Sequence, residues 1–190
     1  MRVTTELPTA TFSILTVCTG NICRSPAVER LLAAGLGPTV TVASAGTRAV
    51  VGHPVSAPMV PLMTRAGAGA DGFAARQLTE QLARDAELVL ALTRDHRSTI
   101  VQLAPASVRR TFTLLELARL AAAVDPGAIP AGTPAERLAA IVPLAAAQRG
   151  RVPGGDDDVV DPYGRGDALY AEAFGLIEPA VATIVRLAQG

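Results

Sequence analysis

Lysine and tryptophan are absent from this 190-residue chain. Arginine alone carries the positive charge, 17 residues against 17 aspartates and glutamates, for a formal net charge of +0. Such a balance supplies no basic field for nucleic acid and no acidic tail, and the pair Arg109-Arg110 is too short to form a patch. Aromatic residues make up only 3% of the chain, so alanine and aliphatic side chains must fill the core; at 49% apolar content there are enough of them. Cysteine is also scarce. Cys18 and Cys23 stand five residues apart, which is not the framework of a disulfide-stapled secreted domain. The start, MRVTTELPTATFSILTV, has no long apolar run ahead of a small-residue cleavage site, and Phe12 to Val17 is too short to span a bilayer. A cytoplasmic chain without membrane contact is expected. The arginine-only, alanine-rich composition fits a bacterial genome of high GC content.

The hydrophobic pattern alternates between two kinds of segment. Phe12–Val17, Thr39–Ala43, Glu87–Leu92 and Arg110–Leu114 read as short buried strands. Between them, Ser25-Pro26 opens a helix that Gly35 can end, Pro58–Ala66 and Thr79–Arg84 read as helices, and another runs from about Asp95 to Leu103. Strand and helix in alternation predict an α/β fold of three layers: a central four-stranded parallel sheet with helices on both faces. Ligands of such sheets bind at the carboxyl ends of strands. Length favours a single domain over residues 1–190, with an Ala/Pro-rich insertion at about 120–158. Inside it, Thr133-Pro134-Ala135-Glu136 has the pattern of a capping box, and Val152 to Asp158 reads as a mobile polar loop. Asp167–Ala188 predicts a long helix, bent or broken near Pro179.

Chemistry concentrates where the first strand ends. Cys18-Thr19-Gly20-Asn21-Ile22-Cys23-Arg24 is a cysteine, five residues and an arginine, followed at once by Ser25-Pro26 and a helix. Gly20 and Asn21 both tolerate positive φ, which lets backbone N–H groups from Thr19 to Ser25 converge on one concavity. A helix N-terminus adds partial positive charge, and Arg24 can close the cradle with a two-pronged fork. The result suits a phosphate dianion, and it stabilises Cys18 as a thiolate nucleophile. Ser25 is placed to donate to that sulfur, to cap the helix, or both. Out of this context Cys18 would read as a buried apolar cysteine at a strand end.

Val17 to Glu29 resembles the signature loop of low-molecular-weight protein tyrosine phosphatases. The likeness continues in Ser44-Ala45-Gly46-Thr47, in Ala75-Arg76-Gln77-Leu78 and in Asp161-Pro162-Tyr163-Gly164. It implies a bacterial-type enzyme that hydrolyses phosphotyrosine through a phosphocysteine, with no metal and no organic cofactor. The partner it implies is a phosphotyrosine protein, with a bacterial tyrosine kinase as the candidate.

A thiolate that displaces a phosphate ester needs an acid to protonate the departing oxygen. Asp156, Asp157, Asp158 and Asp161 are available. The first three read as solvated charge in a glycine-rich loop, whereas by resemblance Asp161 is the general acid and Tyr163 lines a wall of the cleft. The resemblance also pairs Asn21 with Ser44 to hold the loop. Cys23 is either a packing residue or a redox partner of Cys18. The run Arg48-Ala49-Val50-Val51 lacks the aromatic residue that many relatives carry after Ser-Ala-Gly-Thr. His53 and His96 have no neighbours at metal-ligand spacing and read as surface or helix-start residues. Two alternatives stand: a phosphate-binding regulatory module that turns over weakly, and an arsenate reductase. The latter needs further cysteines downstream, and none follows Cys23.

Overall fold

The computed structural model describes residues 12–190, so the reading of the first eleven residues lies outside the described range. Four strands, β1 (Phe12–Cys18), β2 (Val40–Gly46), β3 (Leu88–Ala91) and β4 (Thr111–Thr113), lie parallel in the order β2-β1-β3-β4. Around them run α1 (Arg24–Leu36), α2 (Val60–Arg65), α3 (Glu80–Asp85), α4 (Arg94–Leu103), α5 (Leu114–Ala122), α6 (Pro134–Ala147) and α7 (Asp167–Gln189). The two-residue period of the strands sorts the core into two layers. Phe12, Ile14, Leu88, Leu90 and Phe112 pack in the layer that holds α1, α5, α6 and α7. Leu15, Val17, Val89 and Ala91 face the other way, onto Ala83 of α3 and Ile100 of α4. Because β1 is covered on both faces and paired on both edges, its carboxyl end at Cys18 is a fixed point.

Several boundaries differ from the sequence expectation. Helix α1 starts at Arg24, so Pro26 is its third residue, still within the turn where a missing N–H costs nothing. It ends at Gly37, whose φ of 72° suits glycine, rather than at Gly35. Gly35 stays helical because α1 lies hard against α7: a Cβ there would come within 2.8 Å of both Val185 methyl groups. Helix α5 begins where the sequence pattern predicts the end of a strand, at Leu114. Thr113 caps it with a full capping box to Glu116, the same sequence signal that the reading used at Thr133 and Glu136, where α6 does begin.

Within the 120–158 stretch the helix expected from Thr133 forms and packs on the core. Leu138, Ile141 and Ala145 of α6 are buried in the main core. The loop expected to be mobile is pinned, because its carboxylates find fixed donors. Asp157 takes two hydrogen bonds from Arg119 at 2.9 and 3.0 Å, and Arg119 also reaches the Pro153 carbonyl at 2.7 Å. Asp158 accepts the Arg94 amide at the start of α4 at 2.8 Å. Helix α7 runs unbroken through Pro179. By length and composition α7 could cross a bilayer, yet Phe174, Ile177, Val181 and Ile184 spend its apolar face on the protein core.

Candidate active site

Beyond Cys18 the chain turns through Thr19–Cys23 into α1, and the neighbouring segments dictate which way its peptide groups point. The Cys18 carbonyl accepts the Thr47 amide at 2.9 Å, that of Thr19 the Arg48 amide at 2.9 Å, that of Gly20 the Val50 amide at 3.0 Å, and that of Ile22 the Ser56 amide at 2.7 Å. With the carbonyls drawn outward, the amides of Thr19 to Cys23 donate to no acceptor among the described residues. Unsatisfied N–H groups gathered in this way form an anion nest, reinforced by the N-terminus of α1. Only Asn21 takes the positive φ expected of the loop, at 56°; Gly20 does not. Asn21 is held on three sides: its Nδ2 donates to Ser44 Oγ at 2.7 Å and to Ser25 Oγ at 3.0 Å, and its Oδ1 accepts the Arg76 amide at 2.8 Å. The Ser44 pairing is the one expected. Ser44 in turn donates to Glu29 Oε2 at 2.5 Å. Gly46 has to be glycine, since a Cβ there would lie 2.5 Å from the Thr19 carbonyl.

Ser25 is the second residue of α1 and makes no cap; it is wholly buried, with Oγ 3.0 Å from Cys18 Sγ. Arg24 is 3% exposed. Its Nη1 donates to the Val159 carbonyl at 3.0 Å and its Nη2 pairs with Asp161 Oδ2 at 2.6 Å, while its buried Nε has no protein partner. An unpaired buried donor is costly, and an oxyanion above Cys18 is the group that would satisfy it. Val159 positions the Asp161 turn: its amide donates to the Leu92 carbonyl at the end of β3, and its carbonyl holds Arg24. Cys18, Gly20, Ile22, Val50, Asp161 and Tyr163, with Arg48 at the rim, line a cavity of about 260 Å³. Tyr163, 62% exposed, forms one wall, and Val50 stands where an aromatic was missing from the sequence.

Cys23 is buried with Sγ 3.7 Å from the Tyr170 hydroxyl, and burial pushes its thiol pKa up. Both cysteines are free thiols. Among the described residues no cluster of His, Cys, Asp or Glu is arranged to hold a metal. His53 is an exposed residue, as expected. His96 does start a helix, but it is buried beside Thr19, a placement that the sequence reading missed. The only signal was the Thr93-x-x-His96 pattern at a helix start.

Residues 13–125 match the family model described as low molecular weight phosphotyrosine protein phosphatase. The chain is 45% identical over 93 residues to the low molecular weight protein-tyrosine-phosphatase Etp of Escherichia coli strain K12, covering 49% of this chain and 62% of Etp. It is 41% identical over 97 residues to the probable phosphatase AmsI of Erwinia amylovora, covering 51% of this chain and 66% of AmsI. The matched part thus spans less than two thirds of these relatives' length. The crystal structure of the AmsI tyrosine phosphatase superposes with a TM-score of 0.68 at 25% identity, over 95% of each chain. The YwlE arginine phosphatase of Geobacillus stearothermophilus superposes with a TM-score of 0.67 at 28% identity, over 92% of this chain and 91% of its own.

Proposed function

Given that the chain belongs to the low molecular weight phosphotyrosine protein phosphatase family, we propose that it hydrolyses phosphotyrosine and other aryl phosphate monoesters with Cys18 as nucleophile. The Cys18 thiolate attacks phosphorus, an S–P bond forms, and the ester P–O bond breaks as Asp161 protonates the departing phenoxide. The loop amides from Thr19 to Ser25 and the Arg24 guanidinium hold the three equatorial oxygens, where charge spreads in a loose transition state. Asp161, now a carboxylate, takes a proton from the water that attacks the phosphocysteine. Inorganic phosphate leaves and the thiolate is restored, with the Ser25 hydroxyl donating to it.

The observation that carries this reading is the ring of unpartnered amides with the buried, unpaired Nε of Arg24 beside it. Tyr163 and Val50 give the cleft an apolar width suited to a ring. We take residues 1–190 as one domain with 120–158 as an insertion. We place the protein in a reducing cytoplasm, a reading supported by its two free thiols. The partner we propose is a bacterial phosphotyrosine protein, with a tyrosine kinase as the first candidate; the relatives named above come from bacteria.

The test is p-nitrophenyl phosphate hydrolysis by wild type and Cys18→Ser, beside phosphotyrosine and phosphoarginine peptides. Wild type should release phosphate from the aryl substrates and Cys18→Ser should not. Equal rates for both proteins would end the nucleophile assignment. Phosphate binding without turnover in wild type would favour a regulatory module, and preference for phosphoarginine would move the substrate class.

A further inference from the structure

His96 has no part in the chemistry above, yet it is buried to 7% exposure against the loop that carries it. As the third residue of α4, it uses both ring nitrogens: Nδ1 lies 2.9 Å from Thr93 Oγ1 and Nε2 lies 2.8 Å from Thr19 Oγ1. The Thr93 oxygen already accepts the His96 amide at 3.2 Å. We assign the tautomer in which Thr93 Oγ1 gives its own hydrogen to Nδ1 and Nε2 is the N–H that donates to Thr19. A neutral ring fits the surroundings. Burial first, and then the positive charge of Arg24 on α1, push its pKa down to about 4, against the opposing pull of Asp161 and Asp158 on the acid loop and Asp95 on α4.

Thr19 is the residue directly after the nucleophile. Its carbonyl is held by the Arg48 amide from the segment after β2, and its hydroxyl by His96 from α4. These two grips fix the plane of the first peptide groups of the nest.

We propose that His96 is a positioning residue that sets the anion-binding geometry of the loop by holding the Thr19 hydroxyl. The inference rests on the phosphatase reading and adds to it a group that touches no substrate. A side chain that merely filled space would leave phosphate affinity alone.

The experiment compares wild type, His96→Ala, His96→Gln, His96→Asn, Thr19→Val and the double variant His96→Ala/Thr19→Val. The readouts are kcat and KM for p-nitrophenyl phosphate, inorganic phosphate affinity by calorimetry, and melting temperature. His96→Ala and Thr19→Val should each weaken inorganic phosphate by about five- to tenfold, the size of one net hydrogen bond. The double variant should lose no more than either single one. Gln presents its amide nitrogen near the position of Nε2 and should recover most of the affinity. Asn, which reaches only as far as Nδ1, should not. Unchanged phosphate affinity in folded His96→Ala, additive losses in the double variant, or equal behaviour of Gln and Asn would each overturn the proposal. If His96→Ala does not fold, Thr19→Val and the Gln–Asn pair decide. Should wild type turn over no aryl ester, the phosphatase reading fails, and the calorimetric comparison still judges His96 on its own.

Discussion

Arg24 and Asp161, the proposed phosphate clamp and the proposed acid, are partners of each other: Nη2 and Oδ2 lie 2.6 Å apart. Arg24 is almost fully buried and the Asp161 carboxylate is half exposed, so the arginine stays in place and the aspartate turn is the part free to yield. A phosphate dianion needs the same Nη2, together with the unpaired Nε. In the proposed reaction substrate and acid would compete for one guanidinium, and a phosphate that took it over would leave the aspartate facing the departing oxygen.

Asp161→Asn follows directly. Removing the carboxylate's charge frees Arg24 and should tighten inorganic phosphate by about two- to fivefold, the range of a partly exposed ion pair. Turnover of aryl esters with poor leaving groups should fall by about a hundredfold or more, as expected for a lost general acid. Phosphate inhibition constants and a leaving-group series check both halves. Weaker phosphate binding in the variant would show that the pair organises the site and does not compete with it.

Ser25 offers a second test. Asn21 donates into Ser25 Oγ at 3.0 Å, and of the two acceptors open to the Ser25 hydrogen Cys18 Sγ at 3.0 Å is nearer than the Ala45 carbonyl at 3.5 Å. Ser25→Ala takes from a developing, buried thiolate its hydroxyl donor and leaves it the loop amides alone. The step that breaks the S–P bond should slow most, with kcat down about ten- to a hundredfold, the worth of a hydrogen bond to a charged group. A burst of p-nitrophenol ahead of a slow steady state is the expected signature in stopped-flow kinetics. A uniform slowing with no burst would place the role of Ser25 elsewhere.

The loop from Cys18 to Ser25 was legible in sequence because its chemistry is local: strand end, turn and helix start follow one another within a dozen residues. The parallel sheet was legible for a related reason, since β1 is mostly apolar and β3 wholly so, a pattern that two-faced burial explains. What escaped depends on contacts distant in sequence. Gly35 reads as a helix stop until Val185, 150 residues further on, occupies the space beside it. Asp157 reads as solvated until Arg119 reaches across. His96 reads as a helix-start residue because nothing in its own segment announces Thr19. Helix α5 is different, because its Thr113–Glu116 capping signal is local and lies in the sequence itself, next to a β-branched run that reads as strand.

Asp157 tests whether that pinned strap matters to the site. Its carboxylate is 14% exposed, and with Arg119 it ties the loop ahead of Asp161 to α5. Asp157→Asn keeps the size and loses the charge. It should cost about 1–3 kcal/mol of stability and raise amide hydrogen exchange through residues 152–160, with a smaller loss in phosphate affinity than Arg24 substitutions give. Unchanged exchange across that stretch would mean that backbone contacts alone hold it.

Gly35→Ala should destabilise, against the usual trend. In an open helix the change gains roughly 0.5–1 kcal/mol. Here the new methyl would sit 2.8 Å from both Val185 methyl groups, and a β-branched side chain has little room to turn away. Overpacking of this kind costs about 1–3 kcal/mol. Gly35→Ala/Val185→Ala should recover part of the loss. Urea unfolding of the three variants settles the sign.

His96 ties stability to pH. Its pKa falls from 6.5 to about 4 in the folded protein. Between those values the unfolded chain binds a proton that the folded one refuses, so acidification favours unfolding. The contribution is intact above pH 6.5, shrinks as pH drops toward 4, and levels off below, for a total on the order of 3 kcal/mol. Carboxylates titrate over part of the same range, so the comparison must be with His96→Gln, which keeps the shape and has no proton to take. Urea unfolding at steps from pH 7.5 to 4.5 should show wild type losing more stability than the variant, with the gap opening below pH 6.5. Parallel curves would mean that the ring accepts its proton without leaving its place between Thr93 and Thr19, and that the neutral form is not what the fold selects.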